Sequence, residues 1–278
     1  VMSKIKSSFV NSEKLQKHIS MLYSNGSLYK AFNTNLMFHG CIPMNEDGTL
    51  KDVLIDGEYL KGKELFDAVD RIVREAYFNK PHTERKRCCM DYVWYLWCGE
   101  NSPLFGKKKM ATFERYFLAE KETHIEKKNP YYALLENETV VDNIMIEFGL
   151  DPKEDTHIVN GHVPVKRKDG ESPIKCNGKV MVIDGGFSRA YQKETGIAGY
   201  TLVYNSYGLL LVAHEPFEST EAAIKKENDI HSETVVVTRV NERRLVGDTD
   251  AGRKLKEQIK DLEWLLASYR NGQIIEKL

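Results

Sequence analysis

Two histidines, each at the end of a short apolar run, are the residues of this chain best suited to metal or proton chemistry. They stand in Asn35-Leu-Met-Phe-His39-Gly-Cys-Ile-Pro43 and His157-Ile-Val-Asn-Gly161-His162-Val-Pro164. Each adjoins a glycine and precedes a proline. Each run therefore reads as a buried strand that delivers one imidazole to a Gly/Pro turn at its tip. Imidazole is a common metal ligand and a general acid or base near neutral pH. Agreement between the two runs suggests that His39 and His162 converge on one metal. Taken singly, each reads equally well as a capped, hydrogen-bonded strand-end histidine. Cys41, two positions after His39, offers a thiol, but the strand-end turn already accounts for its place.

The two runs resemble the late histidine motifs of the calcineurin-like metallophosphatases, one with His-Gly before a proline, the other Gly-His-x-Pro. Further text narrows the resemblance. Lys175-Cys-Asn-Gly-Lys-Val-Met-Val-Ile-Asp184-Gly-Gly-Phe-Ser-Arg189-Ala-Tyr191 and Thr195-Gly-Ile-Ala-Gly-Tyr-Thr-Leu-Val-Tyr-Asn-Ser206 closely resemble the class III fructose-1,6-bisphosphatases of bacteria. So do Glu126-Lys-Lys-Asn-Pro-Tyr-Tyr132 and Asp248-Thr-Asp-Ala-Gly-Arg-Lys-Leu255, in family order.

The resemblance implies removal of the 1-phosphate of fructose 1,6-bisphosphate, giving fructose 6-phosphate in gluconeogenesis. His39 and His162 would then be catalytic residues and ligands of the same ion, with manganese (Mn2+) favoured by family habit. Relatives also carry an Asp-x-His, a Gly-Asp-x-x-Asp-Arg-Gly and a Gly-Asn-His-Asp/Glu motif upstream, and the expectation is that none of them occurs in this chain. The position where many relatives place a ligand of the second ion is Pro164 here. The expectation is a carboxy-terminal portion of a longer enzyme, inactive by itself, whose partner is the missing amino-terminal half. Two alternatives stand beside it: a phosphoprotein phosphatase of the same superfamily, and a non-catalytic binding or assembly module.

Phosphate needs fixed positive charge and hydrogen-bond donors. The candidates for substrate binding are Arg115, Lys128, Asn129, Tyr131 and Tyr132, then Lys166 and Arg167 just past the second histidine, and Arg189. Asp184 joins them, because it ends a strand beside the same motif and is followed by glycines whose backbone could approach phosphate closely. For each lysine or arginine the competing reading is a solvated surface charge.

The elements that must carry these residues follow from pattern. Helical spacing predicts helices over 12–23, 58–78, 84–98, 112–121, 139–148 and 251–269. The 84–98 helix holds Tyr92, Trp94, Tyr95 and Trp97, and a buried partner in a helical hairpin is expected ahead of an aromatic ligand platform. Strands are predicted over 179–183, 200–204, 209–213 and 234–239, with a hairpin turn at 205–208. The expected fold is α+β: the carboxy-terminal half of a metallophosphatase α/β sandwich with a helical insertion. Residues 1–49 would give a helix and strand of the core, 50–150 the insertion, and 151–278 a β-rich second half with a final helix. Strands across 150–245, joined by the strand before His39, would form one β region. Its bare edge would invite self-association, so a homo-oligomer is possible in this reading.

Bulk composition agrees with a folded chain: 41% of the 278 residues are hydrophobic and 29% charged. Forty Lys and Arg against 41 Asp and Glu leave no net field for nucleic acid or an anionic membrane. Apolar runs are far too short to span a bilayer, and the basic-plus-apolar pattern of a secretory signal is not read in the opening residues, so none is expected. Five cysteines without C-x-x-C spacing read as free thiols of a reducing cytoplasm.

Overall fold

In the computed structural model the described residues are 1–185, 188–217, 219–227 and 232–275, with Arg189 and Lys226 described by backbone alone. Helices α1 (Met2–Val10) and α2 (Glu13–Asn25) come first. The first is not anticipated by the apolar spacing. Strands β1 (Tyr29–Phe32) and β2 (Asn35–Phe38) form a hairpin. Its two turn residues, Asn33 and Thr34, both have positive φ (48° and 66°), the backbone that matches strand twist in a two-residue turn. A second hairpin joins β3 (Val53–Ile55) and β4 (Glu58–Leu60) through Asp56 and Gly57, with φ of 50° and 90°. This corrects the helix expected from Glu58. Asp-Gly is a strong hairpin signal, and the helix starts only after it.

That helix, α3 (Gly62–Phe78), buries Leu65, Val69 and Ile72 on one stripe. It packs with α4 (Glu84–Cys98), whose Cys89 and Leu96 share a core with that stripe, Val53 and Ile55. Burying each such side chain is worth roughly 1.5–3 kcal/mol. Thr83 caps α4 by accepting the Lys86 N–H at 3.2 Å. The hairpin partnership holds, but the aromatic load is divided: Tyr92 packs against this core, whereas Trp94 is 66% and Trp97 59% exposed. Only one stripe of α4 faces α3. Helix α5 (Thr112–Phe117) stops short of the expected 121, and a 3-10 turn at Lys121–His124 follows. Helix α6 (Glu138–Glu147) is capped by Asn137 and closed at Gly149, whose φ of 78° suits glycine.

Strands β5 (His157–Asn160), β6 (Ile174–Lys175) and β7 (Val180–Val182) complete a five-stranded sheet of order β1-β2-β5-β7-β6. Its centre, β2, β5 and β7, is parallel, and both flanking strands are antiparallel. Every residue of β5 and β7 is buried, as a parallel strand covered on both faces requires.

The chain divides into two compact units at Gly186/Phe187. The second unit holds α7 (Arg189–Thr195), β8 (Gly199–Asn205), β9 (Gly208–His214), α8 (Thr220–Lys226), β10 (Ser232–Arg239) and α9 (Asp250–Arg270). Its three strands make an antiparallel sheet of order β10-β9-β8. The single β region expected across 150–245 is therefore two sheets. The strand leading to His39 pairs only within the first, antiparallel to β1 before the helical segment and parallel to β5 after it. The fold is mixed helix and sheet, α+β as expected. Among the described residues no helix is long and apolar enough to cross a membrane.

Candidate metal centre

The register of two parallel strands brings the histidines together. Asn35, Leu36 and Met37 of β2 stand opposite His157, Ile158 and Val159 of β5. Carried past the strand ends, the same step sets His39 beside Gly161, and the Gly161 N–H donates to the His39 carbonyl at 2.9 Å. Both imidazoles thus emerge at the carboxyl ends of adjacent parallel strands, where open parallel sheets place their ligands. Nε2 of His39 lies 3.0 Å from Nδ1 of His162.

The tautomers follow from the next contact. Nε2 of His162 is 2.8 Å from the Phe105 carbonyl, which only accepts, so that nitrogen carries the proton and Nδ1 presents its lone pair. In the neutral pair, His39 Nε2–H then donates to His162 Nδ1. Burial, reinforced by the neighbouring His39, holds the His162 imidazole below its ordinary range, against the opposing pull of the Phe105 carbonyl and Asp184. A neutral imidazole with a fixed lone pair is the form that binds a metal. His162 itself has φ of 68°, a left-handed backbone that costs about 1–2 kcal/mol in a non-glycine residue.

Several residues that sequence reasoning missed hold this geometry. The loop 102–106 supplies the Phe105 carbonyl, and Ser102 Oγ organises that loop by accepting the Leu104 and Phe105 N–H groups at 3.2 and 3.3 Å. Ser102 also donates to the Leu96 carbonyl at the end of α4. Gly40 lies against the same loop: the Cys41 N–H donates to the Pro103 carbonyl, and a Cβ on Gly40 would collide with that oxygen. Asn160 Nδ2 donates to the Gly40 carbonyl at 3.0 Å, clamping the two strand ends. A backbone carbonyl has no side-chain signature, so Phe105 left no trace to read. The Ser-Pro-x-x-Gly turn around it was the available signal.

Two nitrogens at about 2.1 Å from one ion, bound at right angles, stand about 3.0 Å apart, which is the spacing found here. The pair therefore fits two adjacent positions of a metal's coordination sphere. Among the described residues no group of three or more His, Cys, Asp or Glu side chains could hold an ion. An Asp-x-His does occur, Asp155-Thr-His157, but its imidazole is committed to the Gly178 carbonyl at 2.9 Å and Asp155 at 3.0 Å. Cys41 is buried and its thiol is pushed up to about 12 by that burial, so it is no nucleophile. All five cysteines are free.

Of the other expected site residues, Asp184 lies near the pair. A Cβ on Gly161 would be 3.6 Å from that of Asp184, and the Asp184 carbonyl takes the Val165 N–H at 2.8 Å. Lys166 and Arg167 follow on the same loop, with the Lys166 N–H donating to Glu171. Lys128 is exposed over the Tyr132 ring and faces a cavity. Arg115 is paired with Glu126 at 3.7 Å, on the surface. Asn129 and Tyr131 are interior: Asn129 Oδ1 accepts the Met44 and Tyr131 N–H groups, and Tyr131 packs on Phe38. Tyr132 is half-buried beside Cys41, which also opposes its ionisation. The side chain of Arg189 lies outside the described atoms, and its backbone belongs to the second unit. Of the glycines after Asp184, Gly186 lies outside the described residues.

Residues 1–271 match the family described as Firmicute fructose-1,6-bisphosphatase. The fructose-1,6-bisphosphatase class 3 of Clostridium botulinum (strain Loch Maree / Type A3) is 60% identical over 277 residues, covering 100% of this chain and 41% of the relative. That of Alkaliphilus metalliredigens (strain QYMF) is 61% identical over 279 residues, covering 100% of this chain and 42% of the relative. The chain thus spans about two fifths of the length of the curated relatives it matches. No solved structure matches it.

Proposed function

The chain belongs to the Firmicute fructose-1,6-bisphosphatase family, and we propose that it supplies part of a metal site to an enzyme that hydrolyses the 1-phosphate of fructose 1,6-bisphosphate. The observation that carries this reading is the facing pair of nitrogens, His39 Nε2 and His162 Nδ1, 3.0 Å apart. A bound divalent cation, manganese by preference, would supply Lewis acidity and an activated water for attack at phosphorus. His39 and His162 would hold it, and the Phe105 carbonyl would keep His162 in the tautomer whose Nδ1 is free. The remaining ligands would come from the part of the longer relatives that this chain does not span. The same view gives a cytoplasmic enzyme with reduced thiols, with self-association as a further expectation.

The test uses the full-length protein. His39→Ala and His162→Ala should each lower manganese-dependent turnover of fructose 1,6-bisphosphate by about 10²-fold or more, because each removes a ligand of the ion that generates the nucleophile. Wild-type turnover in either variant would sink the proposal.

A further inference from the structure

A cavity of about 210 Å³ opens in the first unit, and we propose that it receives the second, non-reacting phosphoryl group of a sugar bisphosphate. The inference rests on the phosphatase reading above and adds where the substrate's far end is held. Four lysines line the cavity, Lys51, Lys108, Lys127 and Lys128, against two carboxylates, Glu46 and Glu100. Lys127 is already paired with Glu46 at 2.6 Å. Lys51, Lys108 and Lys128 have no carboxylate within ion-pair reach among the described residues. Three uncommitted ammonium groups against Glu100 leave an excess of two positive charges, the complement of a phosphomonoester dianion.

The lysines are selected by fold rather than by composition. In the run 107–109, Lys107 is tied to Glu126 at 2.7 Å and Lys109 to the Thr123 carbonyl at 2.7 Å. Lys108 between them lines the cavity instead. Its N–H donates to the Lys127 carbonyl at 2.8 Å, and the Asn129 N–H donates to the Gly106 carbonyl at 2.9 Å. These bonds make a short antiparallel bridge that fixes Lys108 and Lys128 on one frame.

The walls also grow out of the loops that hold the imidazoles. Lys108 is three residues beyond Phe105, a span of at most about 11 Å, and the Phe105 carbonyl holds His162. Met44, another lining residue, is five residues after His39, and its N–H is fixed by Asn129 at 3.3 Å. Those short chain spans keep the cavity near the imidazoles, as one sugar carrying a phosphate at each end would require.

In the full-length protein, the ratio of kcat/KM for fructose 1,6-bisphosphate to that for p-nitrophenyl phosphate, which has a single phosphate, reports the subsite. Lys108→Ala with Lys128→Ala should lower this ratio about tenfold or more, with the loss carried by KM for the bisphosphate. Lys108→Arg, which keeps the charge, should retain most of the preference. An equal loss on both substrates, or an unmoved ratio, would overturn the assignment. Inorganic phosphate binding in the cavity with the ratio unmoved would mark a separate anion site and would overturn it too. If the wild type prefers a different bisphosphorylated ester and the variants erase that preference, the cavity proposal stands while the fructose bisphosphate reading fails. A wild type with no preference for any bisphosphate ends the cavity proposal.

Discussion

Two glycines beside the paired imidazoles look equivalent in the sequence and are not equivalent in space. A methyl on Gly40 runs into the Pro103 carbonyl, a backbone atom that cannot swing aside, whereas a methyl on Gly161 meets only ordinary contacts at 3.6 and 3.7 Å. Gly40→Ala should therefore destabilise the chain by about 1–3 kcal/mol through overpacking. Gly161→Ala should change stability by less than about 0.5 kcal/mol. Urea midpoints of the two variants check this, and equal midpoints would contradict it. The strand-end histidines were legible from residue type and turn context. The oxygen that sets the His162 tautomer was not, because it belongs to backbone far along the chain.

A guanidinium on α4 ties that helix both to α3 and to the β3–β4 turn. Arg85 donates to Glu75 on α3 and, at 2.8 Å, to Asp56 in the β3–β4 turn. Its hydrogen bonds hold both carboxyls below their ordinary values of 4.5 and 3.8. The folded state thus binds these protons more weakly than the unfolded chain. The resulting stability is fully present above about pH 4.5 and is lost as pH falls through the lowered folded values. The groups are partly solvated, so the gain is about 1 kcal/mol or less. Arg85→Gln should be less stable than wild type at pH 7, and the gap should close toward pH 3. Urea melts across that range would show it, and a gap independent of pH would refute the linkage. Period and capping residues located these helices well. The β3–β4 hairpin escapes this reading because the helical period, extended back to Glu58, covers the strand that follows Asp56-Gly57.

Taken whole, the chain brings together two imidazoles and stops there among its described residues. Two neutral donors without a bridging carboxylate hold a divalent ion weakly, since hard cations such as manganese favour oxygen ligands. Manganese titration of this chain by electron paramagnetic resonance should show no saturable uptake at micromolar metal, and its phosphatase turnover should not exceed background. Saturable uptake lost in His39→Ala would mean that this chain carries further ligands.

Residue types and spacing alone determined that His39 and His162 end buried strands, that the middle of the chain is helical, and that the fold mixes helix with sheet. Those properties are local: an apolar period, a cap or a Gly/Pro turn is written in neighbouring residues. Tertiary structure decided the rest. It divided the strands after 150 between two sheets and chose Lys108 over Lys107 and Lys109 for the cavity. It also set the Phe105 and Pro103 carbonyls against His162 and Gly40. Each of these depends on contacts between segments distant in sequence, many through backbone atoms that every residue shares, so residue identity carries little record of them.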